Sequence, residues 1–182
     1  VRRLGMIIDI TERKRLEMIQ KLESSMVEAV ASSLDLQQIM EQIVLGIEEI
    51  LPNTIASILL IDEEGKRLLH GSAPNLPVSY NDAIHGEPIG PLAGSCGTAA
   101  FLKRPVIVCD IENDPLWENY RNFALAYDLR ACWSHPIFDE KLNVIATFAI
   151  YHNTVKTPEP EQLDTIERIS KIISIAIAKH RN

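Results

Sequence analysis

The residues with the clearest chemical potential lie in one short stretch, Gly94-Ser95-Cys96-Gly97-Thr98. Cys96 is the strongest candidate for a nucleophile, because a thiol near a helix N-terminus has its thiolate favoured by the helix dipole. The hydroxyls of Ser95 and Thr98, with N–H groups of the first helical turn, could face a small polar or anionic ligand. The alternative interpretation is structural: the glycines allow tight packing and Ser95 caps the helix.

Catalysis by a thiol with a histidine base, and binding of a metal or haem, have less support in the residue types. A thiol enzyme would need a histidine base, and the sequence does not indicate which histidine approaches Cys96; the candidates are His70, His85, His135, His152 and His180. His135 is the best placed for a metal or haem, although a histidine in an apolar strand is more often a core or rim residue. No catalytic residue and no metal site is predicted, and the cofactor is left open.

Two further patterns exclude common activities. Gly97 is followed by Thr98-Ala99 rather than the Lys-Ser or Lys-Thr of a phosphate-binding loop, so ATP or GTP hydrolysis is not expected. The three cysteines, Cys96, Cys109 and Cys132, form neither an even disulfide set nor a zinc-type pair. Reduced thiols are therefore expected.

Composition indicates a globular cytoplasmic protein. Hydrophobic residues make up 46% and charged residues 24% of the 182 residues. A net charge of −7 argues against a nucleic-acid surface, which needs clustered lysine and arginine. No apolar run approaches the roughly 20 residues that a membrane-spanning helix requires. We therefore expect neither nucleic acid nor membrane as a partner.

Hydrophobic periodicity predicts helices at both ends and strands between them. Apolar residues at steps of three and four predict helices over Thr11–Ser33, Leu36–Leu51 and Glu161–His180, with Asp35 as the N-cap of the second. Shorter helices are predicted from about Thr98 and over Leu116–Leu129. The predicted strands are Val1–Ile10, Thr54–Asp62, Arg67–Ala73, Val106–Cys109, Cys132–Phe138 and Val144–Tyr151. The proline-rich segment Pro74–Pro91 is expected to be a lid or binding loop.

Three segments in order, Gly94–Ala100, Pro105–Ile111 and Leu129–Ile137, resemble the central part of a GAF domain. The resemblance is closest to GAF domains that follow a PAS domain in bacterial sensor kinases and cyclic-di-GMP enzymes. It implies an α+β fold, in which a central antiparallel sheet is layered between helices and long helices stand at both ends. The terminal helices would cover one face, and the other face would hold a pocket.

The expected pocket combines apolar walls with a few hydroxyl and amide groups, as small-molecule sites do. The predicted ligand-binding residues are Ser95, Cys96, Gly97, Thr98, Trp117, Tyr120, Phe123, Cys132 and Ser134. The markers of particular ligand classes are absent: there is no Cys-His dipeptide of the bilin-binding type and no cyclic-nucleotide signature. The ligand is therefore unidentified.

The segment Gly5–Lys14 is similar to the exit of a PAS domain. The resemblance implies three parts: residues 1–10 as the last strand of a truncated PAS domain, 11–33 as a signalling linker helix and 34–182 as the GAF domain. An output domain is expected after Asn182.

The function expected is regulation without catalysis, through a bound small molecule or a change of redox state. The signal would pass to the output domain through a parallel homodimer held by the Thr11–Ser33 and Glu161–His180 helices. One alternative is a structural dimerisation and relay module whose pocket is filled by its own side chains. A thiol-dependent enzyme using Cys96 is a further alternative; some GAF-like proteins reduce free methionine sulfoxide with cysteines, but their cysteine pattern has no convincing match here.

Overall fold

A computed structural model of the chain describes the backbone of residues 2–181 and the side chains of residues 11–180. Its helices are α1 (Arg2–Ala31), α2 (Leu36–Ile50), α3 (Val78–Ile84), α4 (Cys96–Leu102), α5 (Arg121–Ala126) and α6 (Pro160–Arg181), with a 3-10 turn at Pro115–Trp117. Its strands are β1 (Ile55–Ile61), β2 (Leu68–Ser72), β3 (Val106–Val108), β4 (Ala131–Phe138) and β5 (Val144–His152).

The strands of the described residues form one antiparallel sheet in the order β2-β1-β5-β4-β3. Because side chains alternate along a strand, each strand serves both faces of the sheet. On β4, Trp133 and Ile137 pack toward the terminal helices, whereas Cys132 packs in the core on the opposite face. Both faces are covered, so the strands read as nearly continuous apolar runs.

Helices α1, α2 and α6 form a layer on one face. Asp35 is the N-cap of α2. Its side chain accepts from the Gln38 N–H while the Gln38 side chain accepts from the Asp35 N–H, so the predicted N-cap is confirmed as a capping box. Arg15 of α1 donates to the Glu161 carbonyl near the start of α6, and His180 near its end meets the Leu34 carbonyl at 3.1 Å. Helices α1 and α6 therefore run parallel.

Short elements cover the other face. A second apolar core, which includes Tyr80, Trp117 and Leu129, packs under helices α3, α4 and α5, the 3-10 turn and their connecting loops.

Among residues 2–181, no helix is both long enough and apolar enough to span a membrane.

Two predictions about elements are wrong. The strand expected over residues 1–10 is helical from Arg2 onward, with Val1 outside the described residues; no proline interrupts this segment, so one helix continues into Thr11 and beyond. The single helix expected over residues 116–129 is a 3-10 turn and the six-residue α5, because Tyr120 leaves the helical region at φ −124°, ψ 0°.

Candidate functional site

Ser95 connects three elements at the centre of the site. Its Oγ donates a hydrogen bond to the Cys132 carbonyl oxygen on β4 at 2.8 Å and accepts one from Trp117 Nε1 at 3.0 Å. The side chain makes no capping bond to α4, and the residue itself is fully buried. The capping interpretation of Ser95 is therefore wrong, and the hydroxyl instead joins α4, β4 and the 3-10 turn.

The two glycines around Cys96 allow close packing. Gly94 has φ +68°, and a side chain there would also contact the Trp117 ring at 3.5 Å. A Cβ on Gly97 would lie 2.6 Å from the Cβ of Ala93. Thr98 Oγ1 fixes the same loop by accepting from the Ala93 N–H at 3.0 Å. The loop before α4 is thus held tightly against the helix.

Cys96 and Cys132 form a buried pair of thiols beneath this loop. The pKa of Cys96 is lowered, first by the neighbouring Cys132 thiol and then by the nearby Ser134 and Thr147 hydroxyls, against the opposing effect of burial. Burial and the neighbouring Cys96 raise the pKa of Cys132 well above its ordinary value. Cys96 is therefore the more acidic thiol of the pair.

Three hydroxyls lie on the sheet face below the thiols. Ser57 and Ser134 both pair with Ala149, from β1 and β4, so they stand in one row across the sheet, and Thr147 lies two residues before Ala149 on β5. All three oxygens are buried without a conventional hydrogen bond. Buried polar groups of this kind are uncommon and call for an explanation. This part of the sheet is polar within an otherwise apolar face.

Two tyrosines close the side of the site. Tyr80 Oη donates to Tyr151 Oη at 3.0 Å, and burial raises the pKa of both well above the ordinary value. The Tyr80 ring stacks on Phe123 with a centroid distance of 5.1 Å. Phe123 therefore supports the roof of the site.

The free space beside Cys96 is small. A cavity of about 30 Å³ is bounded by Ser95, Cys96, Trp117, Tyr120 and Tyr151, among others. Such a volume holds about one water molecule. A second, open pocket of about 400 Å³ lies outside and shares Ile84, Glu87 and Tyr120 with the cavity.

The boundary between these spaces contains a polar contact. Tyr120 Oη donates to Glu87 Oε2 at 3.0 Å, and the pKa of Tyr120 is raised by burial and by this carboxylate. Glu87 and Tyr120 therefore line both spaces, and their contact lies beside the cavity that Cys96 lines.

The structure brings the predicted site residues to one side of the sheet. Ser95, Cys96, Trp117 and Tyr120 line the inner cavity, and Phe123 lines the outer pocket. The remaining predicted residues are buried next to the cavity without lining it; they are Gly97, Thr98, Cys132 and Ser134. Whether these residues hold a ligand stays a prediction.

Sequence reasoning missed four buried residues of this site: Ser57, Tyr80, Thr147 and Tyr151. A signal was present for two of them, because Ser57 and Thr147 are small polar residues inside β-branched runs. Their position below Cys96 depends on strand pairing, which the local pattern does not contain.

The histidine predicted to be best placed for a metal or haem lies away from Cys96. His135 lies between Trp133 and Ile137 on the helix side of β4, opposite the thiols, and burial lowers its pKa. The groups that shift the pKa of Cys96 are a thiol and hydroxyls. Among residues 11–180, no group of three or more metal-ligating side chains is placed to hold a metal ion.

The fold and this site define the class of protein. The sequence pattern of the GAF domain family matches residues 33–178, and the chain therefore belongs to that family. A methyl sulfide methyltransferase-associated sensor of Methanosarcina acetivorans is 35% identical over 173 residues. That alignment covers 95% of this chain but 17% of the sensor, so the chain spans about a sixth of its relative's length.

Solved structures agree on the fold. The GAF domain of an Acinetobacter phosphoenolpyruvate-protein phosphotransferase is similar with a TM-score of 0.70 at 14% identity, covering 92% of this chain and 95% of that domain. A free methionine-R-sulfoxide reductase of Neisseria meningitidis, in complex with its substrate, has a TM-score of 0.69 at 18% identity over 92% and 90% of the two chains. At these identities the likeness concerns the fold alone, and it confirms the predicted α+β GAF architecture.

Proposed function

We propose that the chain is the regulatory GAF domain of a cytoplasmic signalling protein, with its input at the thiol site and its output through α1 and α6. One observation carries this proposal: backbone carbonyls of strand β4 accept one hydrogen bond from the site and another from a terminal helix. Ser95 Oγ donates to the Cys132 carbonyl, and Ser174 Oγ of α6 donates to the Phe138 carbonyl at 2.7 Å. A displacement of α4 would thus reach α6 through a single strand.

The name of the 35% identical relative supports a sensory role, since that protein is called a sensor. Its length supports a larger assembly of domains, of which this chain would be one part. A preceding PAS domain, a bacterial sensor-kinase or cyclic-di-GMP setting and an output domain beyond Asn182 remain part of the proposal.

The outer surface of the helical layer supports a homodimer. A groove of about 420 Å³ runs between α1 and α6, with an apolar floor and charged edges. Val27 is 72% and Ile175 is 60% exposed in this groove. Glu23 and Arg168 form an ion pair across it at 3.9 Å, so each copy presents both charge signs to a second copy.

The apolar surface available to that partner is narrower than the helical periodicity predicts. Met26 and Ile172 also line this groove, but they are only 4% and 8% exposed and pack inside the single chain. Helices α2 and α6 of the same chain cover most of the apolar face of α1. The proposed parallel dimer therefore centres on Val27 and Ile175.

The size of the cavity favours one alternative. A volume of about 30 Å³ fits a structural relay module whose pocket is filled by Tyr80, Trp117 and Tyr151. A bound molecule larger than water would require the contact between Glu87 and Tyr120 to open. A thiol-dependent enzyme is a third candidate, because methionine sulfoxide reductases are among the solved structures with a similar fold.

Native mass spectrometry and absorbance of the purified chain test the sensory proposal. We expect a co-purifying small molecule on the wild type and on Tyr127→Phe, and more of it on Tyr120→Phe, because that variant loses the contact that must open for entry. The two variants each lose one tyrosine hydroxyl, but only that of Tyr120 contacts Glu87, whereas that of Tyr127 meets Ser79. A chain with no bound molecule, whose thiols also survive an oxidant, would instead support the structural module.

A further inference from the structure

The thiols of Cys96 and Cys132 are placed to react with each other. Cys96 lies at the start of α4 and Cys132 on β4, and the hydrogen bond from Ser95 to the Cys132 carbonyl holds these two backbones together. Both thiols lie in the same buried cluster with Ala149, a small residue that leaves the sheet surface open between Ser57 and Ser134. Two thiols and three unpartnered hydroxyls thus occupy one buried volume.

The two thiols differ in their access to small molecules. Cys96 lines the cavity of about 30 Å³, whereas Cys132 lies behind it and is fully buried. The outer pocket, which shares Ile84, Glu87 and Tyr120 with the cavity, lies on the approach. A reagent the size of a few atoms would reach Cys96 first, and Cys132 could react only with Cys96.

We propose that Cys96 and Cys132 form a reversible two-thiol switch that is oxidised to an intrachain disulfide by a small hydroperoxide. The Cys96 thiolate attacks one peroxide oxygen, the O–O bond breaks, and the other oxygen leaves as water or alcohol after taking a proton. Cys96 is then a sulfenic acid. The Cys132 thiol attacks the Cys96 sulfur, the S–O bond breaks and water leaves. Two electrons pass from the thiols to the peroxide.

The surrounding hydroxyls assist the first of these steps. Ser134 and Thr147 stand beside Cys96 and favour its thiolate, the reactive form toward peroxides. Ser57 is equally buried and unpartnered on the same face but is not among the groups that act on Cys96. The unpartnered state of Ser134 and Thr147 is explained if the thiolate is their acceptor.

The switch deepens the proposed function and rests on it for its consequence. A disulfide would replace the contact between two free thiols and fix α4 to β4 covalently. Because β4 also contacts α6 through Ser174, oxidation would then change the position of α6 in the helical layer. Formation of the disulfide itself does not depend on this movement of α6.

The decisive experiment treats the reduced chain with hydrogen peroxide and maps its thiols. We expect the wild type to lose the mass of two hydrogens, to yield a Cys96–Cys132 cross-linked peptide and to recover with dithiothreitol. Cys109→Ser should behave identically. Cys132→Ser should stop at a Cys96 sulfenic acid that dimedone traps, and Cys96→Ser should form no intrachain disulfide.

The rates of oxidation of hydroxyl variants show which of the buried hydroxyls assist the reaction of Cys96. Ser134→Ala and Thr147→Val should slow the oxidation about two- to tenfold, whereas Ser57→Ala should leave the rate unchanged. The peptide map of the wild type needs no variant and remains informative if a variant fails to fold. A cross-link through Cys109, or intact Cys96 and Cys132 thiols after peroxide treatment, would overturn the inference.

The outcome also separates this inference from the sensory proposal. Unreactive thiols together with a co-purifying small molecule would remove the switch and retain the sensor. A disulfide that forms without any change in amide hydrogen exchange of α6 would retain the switch and remove the relay.

Discussion

At the scale of single residues, Ser95 holds the site together through two hydrogen bonds from one hydroxyl. Ser95→Ala would leave the buried Trp117 Nε1–H without its acceptor, which costs about 1–3 kcal/mol. We expect this loss in the free energy of unfolding measured in urea. Ser24→Ala, at an exposed position of α1, is the matched control and should stay within about 0.5 kcal/mol of the wild type. Equal stability of the two variants would contradict the role given to Ser95.

His152 makes stability depend on pH. Its ring lies 4.2 Å from that of Trp133 between centroids, and burial, with a smaller effect of Lys156, lowers its pKa from 6.5 to about 4. The unfolded chain therefore binds a proton at His152 more readily than the folded chain does. The contribution of the neutral His152 ring to the free energy of unfolding is complete above about pH 6.5 and is lost as the pH falls toward 4.

We expect this histidine to account for about 2–3 kcal/mol of the stability lost between those limits, since each unit of pKa difference corresponds to about 1.4 kcal/mol. Unfolding in urea at a series of pH values, for the wild type and His152→Gln, measures it. Acidic residues add their own losses in both proteins, so the difference between the two slopes is the quantity of interest. Parallel curves would refute the assignment.

At the scale of elements, helix α4 keeps its position because Gly97 has no side chain. Gly97→Ala would place a Cβ 2.6 Å from that of Ala93, so the loop or the helix must shift, at a cost of about 1–3 kcal/mol. Gly90→Ala is the matched control, because an added Cβ there meets nothing within 4 Å. Urea unfolding should show a loss for the first variant and little change or a slight gain for the second. A Gly97→Ala chain as stable as the wild type would show that the loop adapts.

At the scale of the whole molecule, the proposed dimer depends on two exposed apolar residues of the α1–α6 groove. Val27→Glu and Ile175→Lys each place a charge where the helix already carries the same sign four residues away, at Glu23 and Lys171. We expect light scattering to report a dimer for the wild type and a monomer for either variant, with the fold retained. Val78→Glu, at a 74% exposed site on the opposite layer, should remain dimeric. A wild type that is monomeric at high micromolar concentration would end the proposal.

Most of the elements and the family follow from local patterns in the sequence. Hydrophobic periodicity and turn residues are local properties, so most helices and strands, the Asp35 cap and the break after α1 follow from short windows of sequence. The GAF resemblance followed in the same way, from three motif segments in order. Locality also explains the failures: a helix start does not reveal that Ser95 turns its hydroxyl toward β4 and Trp117.

Which of these residues share one buried volume depends on the tertiary fold. The pairing of β5 with both β1 and β4 places Ser57, Ser134 and Thr147 on one face, and the packing of α4 on β4 brings Cys96 to Cys132. The tertiary fold also determines which apolar residues of α1 remain exposed, because α1 packs on α2 and α6 of its own chain. The physical reason is that strand register and helix packing are set by contacts between segments far apart in the chain, and no local pattern contains them.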